Sequence, residues 1–148
     1  MQSTIRGEVV GWTRKEAPRV AFLYRHGAMQ DLGEWEPTGI NQRGMIVGTD
    51  GHAVSYSHGK LTDLGTLSGA SQSVAYGVND LGLIVGTSGG HAFLDFWGSM
   101  MDLNTLIPPN SGWTVTEARG INDFGEIVGT GIHNGVQRGF LLTLHFGF

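Results

Sequence analysis

Gly120 to Thr130 reads GINDFGEIVGT, Gly77 to Thr87 reads GVNDLGLIVGT and Gly39 to Thr49 reads GINQRGMIVGT. A worn copy, RGEVVGW, runs from Arg6 to Trp12. The copies are spaced by 37, 38 and 43 residues, measured from Arg6 to Arg43, Leu81 and Phe124. Self-similarity at such a period marks one supersecondary unit copied and stacked.

The second half of the unit repeats too. Arg19 to Gly33 (RVAFLYRHGAMQDLG), His52 to Gly65 (HAVSYSHGKLTDLG) and His91 to Asn104 (HAFLDFWGSMMDLN) share one frame. Arg138 to Phe148 (RGFLLTLHFGF) is a truncated fourth copy. The longest spacing carries an insertion around Ile107-Pro108-Pro109-Asn110-Ser111-Gly112-Trp113. The units run approximately over 1–33, 34–65, 66–104 and 105–148, a single repeat domain with no linker.

Within the second unit, four short strands are expected at Trp35–Asn41, Met45–Thr49, His52–Tyr56 and Lys60–Leu64. Asn41-Gln42-Arg43-Gly44 and its copies at 79–82 and 122–125 read as tight turns, because Asn and Gly tolerate unusual backbone angles. His26-Gly27, Asp50-Gly51 and His58-Gly59 are hairpin signals. No segment carries helical apolar spacing with caps. The chain is therefore expected to be all-β.

Face patterning selects the architecture. Val9-Val10, Ile46-Val47, Ile84-Val85 and Ile127-Val128 are apolar on both strand faces, unlike a strand with one wet side. In Phe93 to Trp97, Phe93 and Trp97 should share one face, Leu94 and Phe96 the other. Sheets buried on both sides suit the blades of a propeller. Gly11, Gly48, Gly86 and Gly129, after each pair, would allow close backbone approach near a crowded axis. We expect a small β-propeller of about four units of four short antiparallel strands, its ring closed by pairing the termini. A β-helix is the rival. The expected state is a monomer, or a dimer if two chains complete the ring.

Composition excludes several classes. Glycine is 25 of 148 residues and no cysteine is present, so no disulfide, thiolate metal site or cysteine nucleophile exists. A formal charge of −4 disfavours nucleic acid and anionic membrane as partners. There is no run of 18 apolar residues and no signal-peptide pattern at the N-terminus.

The residues GIND-G-IVGT, followed by His91-Ala92-Phe93 and by Asp63 to Leu67 (DLGTL), resemble the HAF repeat over nearly the whole chain. His52-Ala53-Val54 is close to that lettering, while Val20-Ala21-Phe22 and Arg138-Gly139-Phe140 depart from it. The resemblance implies a repeat architecture in a family described as extracellular and of unassigned activity. In overall character the chain also resembles short repeat proteins reported as hydrolases of acyl-homoserine lactones. That likeness implies a small lactone or ester as substrate and a hydrolytic, quorum-quenching reaction.

Candidate chemistry falls into three sets. Asn41, Asn79 and Asn122 would lie equivalently about the axis, where amide oxygens could hold Ca²⁺, a hard cation taking six to eight oxygens. The bland reading is that each Asn makes its own turn. Asp31, Asp63 and Asp102 are most cheaply turn caps. Glu36 and Glu117 break the repeat, Val74 filling their slot in the third unit, and two carboxylates could bind a metal or polarise water. Strand alternation places Glu36 and Asn41 on opposite faces unless a bulge intervenes. His52 and His91 are equivalent and could act as base or ligand, or could bond a neighbouring turn. No Gly-x-Ser-x-Gly elbow is present. Trp12, Trp35 and Trp113 fall with Arg14, Lys15, Glu16 and the Pro108-Pro109 insertion in the variable loops, a possible aromatic pocket for an acyl chain or sugar. The leading expectation is metal-assisted water attack on a lactone or ester, with His52, His91, Glu36 and Glu117 catalytic. The alternative is a non-catalytic binding module using the tryptophan loops.

Overall fold

A computed structural model of the chain describes residues 2–4, 7–13 and 20–145. The readings made on Arg6, on Arg14, Lys15 and Glu16, on Arg19 and on the last three residues lie outside these. Among the described residues there is no α-helix; the chain forms four antiparallel sheets in sequence order. The first holds β1 (Gln2–Ser3), β2 (Val9–Trp12), β3 (Ala21–Arg25) and β4 (Ala28–Gly33). The second holds β5 (Glu36–Ile40), β6 (Ile46–Thr49), β7 (Ala53–Ser57) and β8 (Lys60–Gly65). The third holds β9 (Ser73–Val78), β10 (Leu83–Ser88), β11 (His91–Phe96) and β12 (Ser99–Asp102). A 3-10 turn, Leu103–Leu106, leads to the fourth, with β13 (Trp113–Ile121), β14 (Glu126–His133) and β15 (Val136–Thr143). Each sheet is a plain meander of neighbouring strands.

The turns explain the meander. At His26-Gly27, His58-Gly59, Trp97-Gly98 and Asn134-Gly135 both residues have positive φ. This is the condition for the tight hairpin whose twist matches that of the strands. Trp97 is therefore a turn residue, and it does not share a strand face with Phe93 as the sequence pattern suggested. At the opposite turn of each unit, Asn41, Asn79 and Asn122 accept two backbone N–H groups each. For Asn79 these are Leu81 N at 3.1 Å and Leu83 N at 2.9 Å.

A bulge interrupts the first pairing of the last three sheets, leaving Thr38, Tyr76 and Arg119 as the extra residue, and the fourth sheet has a second at Thr116. The bulge explains the glycines after each Ile-Val pair, and the explanation differs from the expected one. A Cβ on Gly48, Gly86 or Gly129 would fall on the carbonyl of Glu36, Val74 or Glu117 in the same sheet. The crowding is thus within each sheet. The glycines that approach a neighbouring sheet are Gly39 and Gly77, where a Cβ would sit 3.2 Å from Tyr76 O and from Arg119 O.

Successive sheets stack face to face, and three apolar clusters fill the joints. Val10, Ala21 and Leu23 pack on Ile40, Ile46, Val54 and Tyr56 at the first. Val47 and Ala53 pack on Ala75, Ile84 and Phe93 at the second. Leu83, Val85, Ala92 and Leu94 pack on Val115, Ala118, Ile127 and Leu142 at the third. Each Ile-Val pair thus sends its first residue backward and its second forward, which is why both faces are apolar. Polar bonds repeat across the joints. Asn41 Nδ2 donates to Asn79 O at 2.9 Å, and Asn79 Nδ2 to Asn122 O at 3.1 Å. Beside that ladder, Gln42 N donates to Asp80 Oδ1 and Asp80 N to Asp123 Oδ1.

Among the described residues the two ends of the stack are not paired with each other. β1 pairs with β2 in its own sheet, and among the described residues β15 pairs only with β14. The expected pairing of first strand to last is not seen among the described residues. A fourth strand, present in the other three sheets, has no counterpart beyond β15 among the described residues.

Candidate functional site

Antiparallel strands sort the candidate residues into two ends. Asn41, Asn79 and Asn122 sit at the turn end of their sheets. Glu36, His52, His91, Trp12, Trp35 and Trp113 sit at the other, where strands enter and leave for the neighbouring unit. Glu117 pairs with Thr130 as Glu36 pairs with Thr49, toward that second end.

The Asn set does structural work. Asn41 Oδ1 takes the N–H groups of Arg43 and Met45, Asn122 Oδ1 those of Phe124 and Glu126, and the Asn79 oxygen is likewise filled. An amide oxygen has two lone pairs, so both are committed. This donor set does not fit Ca²⁺. Among the described residues no three His, Asp or Glu side chains gather as a metal cage either.

The two glutamates are apart as well. The third sheet stands between the sheets that bear them. Glu117 accepts from Arg119 Nε at 2.8 Å, and the Arg119 guanidinium lies 4.0 Å over the Tyr76 ring. The bulge at Thr38 removes the expected face conflict: Glu36 pairs with Thr49, on the Val47 face shared by Asn41. The two remain at opposite ends of the strand, too far for one site.

The tryptophans do not form one aromatic pocket. Trp35 is buried in the first joint, stacked on Tyr56 at 6.1 Å, and its indole N–H donates to Leu32 O at 2.8 Å. Trp113 stacks on the His133 ring at 4.6 Å. Trp12 lies in β2, half-buried.

The histidines carry the clearest constellation. His91, first residue of β11, holds Asp102 Oδ2 through Nδ1 at 2.6 Å. His52 holds Asp63 in the same way at 3.1 Å, with both side chains largely in solvent. An ionised carboxylate only accepts, so Nδ1 is the nitrogen that donates to it, and in the neutral form of the ring Nε2 is then the acceptor nitrogen. The Asp positions are also turn caps: Asp31, Asp63 and Asp102 each accept the N–H two residues ahead, from Gly33, Gly65 and Asn104. Burial would raise the Asp102 pKa. It is outweighed by the hydrogen bonds from His91 and from the Asn104 backbone and side chain, and by the His91 charge, so Asp102 titrates below the ordinary 3.8.

Beside His91 opens a cleft of about 490 Å³, lined by Leu67, Ser68, Ala70, Ser88, Met100 and Asp102 among others. Ser88 is a brace: its hydroxyl accepts from Leu67 N and donates to Gln72 O, both at 2.9 Å. Ser68 and Gly69 lie at the tip of the loop from β8 to β9, and their backbone N–H groups have no protein partner among the described residues. Sequence reasoning found His91 but set Asp102 aside as a cap. The cue was the fixed eleven-residue spacing of His52 to Asp63 and His91 to Asp102, which antiparallel pairing brings together. Comparison with models of known protein families, with curated proteins and with solved structures returned no match.

Proposed function

We propose that this chain hydrolyses a small ester or lactone in the cleft beside His91, with His91 as general base and Asp102 as its positioning partner. The observation that carries it is the short Nδ1 to Asp102 bond at the edge of a cleft large enough for a small molecule. In this reading Nε2 takes a proton from water and the hydroxide adds to the carbonyl carbon. The N–H groups of Ser68 and Gly69 hold the resulting oxyanion. Its collapse breaks the acyl–oxygen bond, and the imidazolium returns the proton to the leaving alkoxide, giving a hydroxy acid from a lactone. Such a base contributes about 10²–10⁴-fold.

The test is turnover of a short acyl ester and of an acyl-homoserine lactone. His91→Gln should lose about 10²-fold or more while His52→Gln stays near wild type. Equal activity of wild type and His91→Gln sinks the assignment. A binding module is the second reading, favoured by the recurrence of the same clasp at His52 and Asp63, where it serves a turn. It predicts saturable ligand binding in the cleft without turnover.

The architecture that best accounts for three like joints is an arc of propeller blades of HAF-repeat type. Its support is the recurrence of the same contacts from sheet to sheet. The forward face of the fourth sheet carries the counterparts of the joint residues, Asn122, Val128 and Leu141, with no neighbouring sheet among the described residues, which supports ring completion by a second copy of the chain. A native mass showing only monomer at micromolar concentration removes that completion.

A further inference from the structure

The three joints are alike except at one level. On the third strand of each sheet the forward position is Leu23, Ser55, Leu94 and Leu141, and the next residue, facing backward, is Tyr24, Tyr56, Asp95 and Leu142. Leu23 therefore meets the sheet carrying Tyr56, and Leu94 the sheet carrying Leu142, each pair within one apolar cluster. The middle joint alone sets a polar residue against a polar residue, Ser55 against Asp95. Both are smaller than their counterparts, and the room they release is a cavity of about 250 Å³ lined by both.

Asp95 is 1% exposed. Its Oδ1 accepts from Gly98 N at 3.1 Å, while Oδ2 is buried with no hydrogen-bond partner. A buried carboxylate oxygen without a donor is costly, and proteins rarely keep one without a reason. Burial pushes the Asp95 pKa above 3.8, against the opposing pull of the Gly98 N–H. None of the residues lining the cavity is basic, so no lining side chain pairs with the ionised form of Asp95.

We propose that this cavity is a binding site for a small primary ammonium ligand, its cationic nitrogen on Asp95 and its short hydrocarbon body between the two sheets. The cation supplies the donor that Oδ2 lacks, in a charge-assisted bond stronger than a neutral one. The hydroxyls of Ser55 and Thr62 can accept the remaining N–H bonds. Met45, Leu64 and Ile84 provide apolar walls. The volume equals roughly eight water molecules, more than a bare ion fills and right for a chain of a few carbons. Trp97 stands at the rim, held by its indole N–H to Leu81 O at 3.1 Å and otherwise in solvent. The site is separate from the His91 cleft, with which it shares no lining residue.

Calorimetric titration of the intact chain with n-butylammonium chloride tests this, with n-butanol and sodium chloride as controls. The expected result is saturable one-to-one binding of the amine, with butanol and sodium weaker by about tenfold or more. Asp95→Asn, nearly the same shape, should abolish the preference for amine over alcohol. Ser55→Leu, which installs the residue present at Leu23 and Leu94, should fill the cavity and block binding while the fold persists, so the test survives even if Asp95→Asn unfolds. No saturation by the amine, butanol binding as tightly, or unchanged binding in Ser55→Leu would each overturn the proposal.

Discussion

The third and fourth sheets are built from nearly the same letters, yet they live in different surroundings. Val85 and Val128 hold the same place in GVNDLGLIVGT and GINDFGEIVGT. Val85, like Val10 and Val47, is 0% exposed, whereas Val128 is 49% exposed. Leu94 is buried and its counterpart Leu141 is 60% exposed. Asn79 donates across a joint to Asn122 O, while Asn122 turns its own amide back to Glu126 Oε1 at 2.8 Å. Thr87 donates to Thr116 O across the joint at 2.7 Å; Thr130, its counterpart, has no such partner among the described residues. The repeat therefore encodes a joint more than a free-standing unit. A sheet becomes core when its neighbour arrives.

Substitutions can break that contrast. Val85→Asp places an unpaired charge in a sealed joint and should cost about 4 kcal/mol or more, enough to unfold a marginal domain. Val128→Asp should cost under about 1 kcal/mol as long as that face meets water. Urea unfolding of both variants decides, and equal losses would mean that the fourth face is covered in solution. Next in size, Asn79→Ala strands the Leu81 and Leu83 N–H groups and takes one of two donors from Asn122 O, which keeps Gly125 N, for about 2–3 kcal/mol, against about 1 kcal/mol for the exposed Asn122→Ala. Comparable values for the two would show that the turn, and not the ladder, carries the energy.

Smaller effects sharpen the picture by pH. Asp95 has a folded pKa raised above 3.8. The penalty of ionising it is absent below its unfolded pKa and grows as pH rises to the raised folded value, then stays constant. Asp95→Asn should therefore raise the melting temperature at pH 7 and leave it nearly unchanged at pH 3, read by thermal melts at both. Asp102 behaves oppositely, since its folded pKa lies below 3.8. Its contribution is full above the unfolded value and disappears as pH falls through the folded one. Asp102→Asn should cost stability at pH 7 by about 1 kcal/mol or less, with the deficit vanishing in acid.

Much of this was legible in the sequence. The strands of the second sheet fall within a residue of where alternation and turn letters place them, because Asn-x-x-Gly and x-Gly pairs admit few backbone solutions. The forward and backward burial of Ile46-Val47 and Ile84-Val85 was legible as well, whereas Val128 was read as buried and is exposed. The bulges at Thr38, Tyr76 and Arg119 were not, since an extra residue in a strand leaves no letter of its own; the glycine opposite each one was the trace, read as a sign of a crowded axis. Trp35 looked like a ligand contact because it falls in a variable stretch, yet burial of a large indole stabilises a joint whatever the loop beside it does. Ser55 and Asp95 were visible as departures from Leu and Tyr. Their meaning needed the knowledge that they face each other across a gap.

The amide ladder from Asn41 through Asn79 to Asn122 has an evolutionary consequence. Each rung is one side chain reaching a main-chain carbonyl, and a carbonyl is present whatever residue follows. A duplicated unit inserted into the row thus inherits both plug and socket on the day it appears, with no second mutation required. Growth or shortening by whole units therefore leaves each remaining rung with its acceptor.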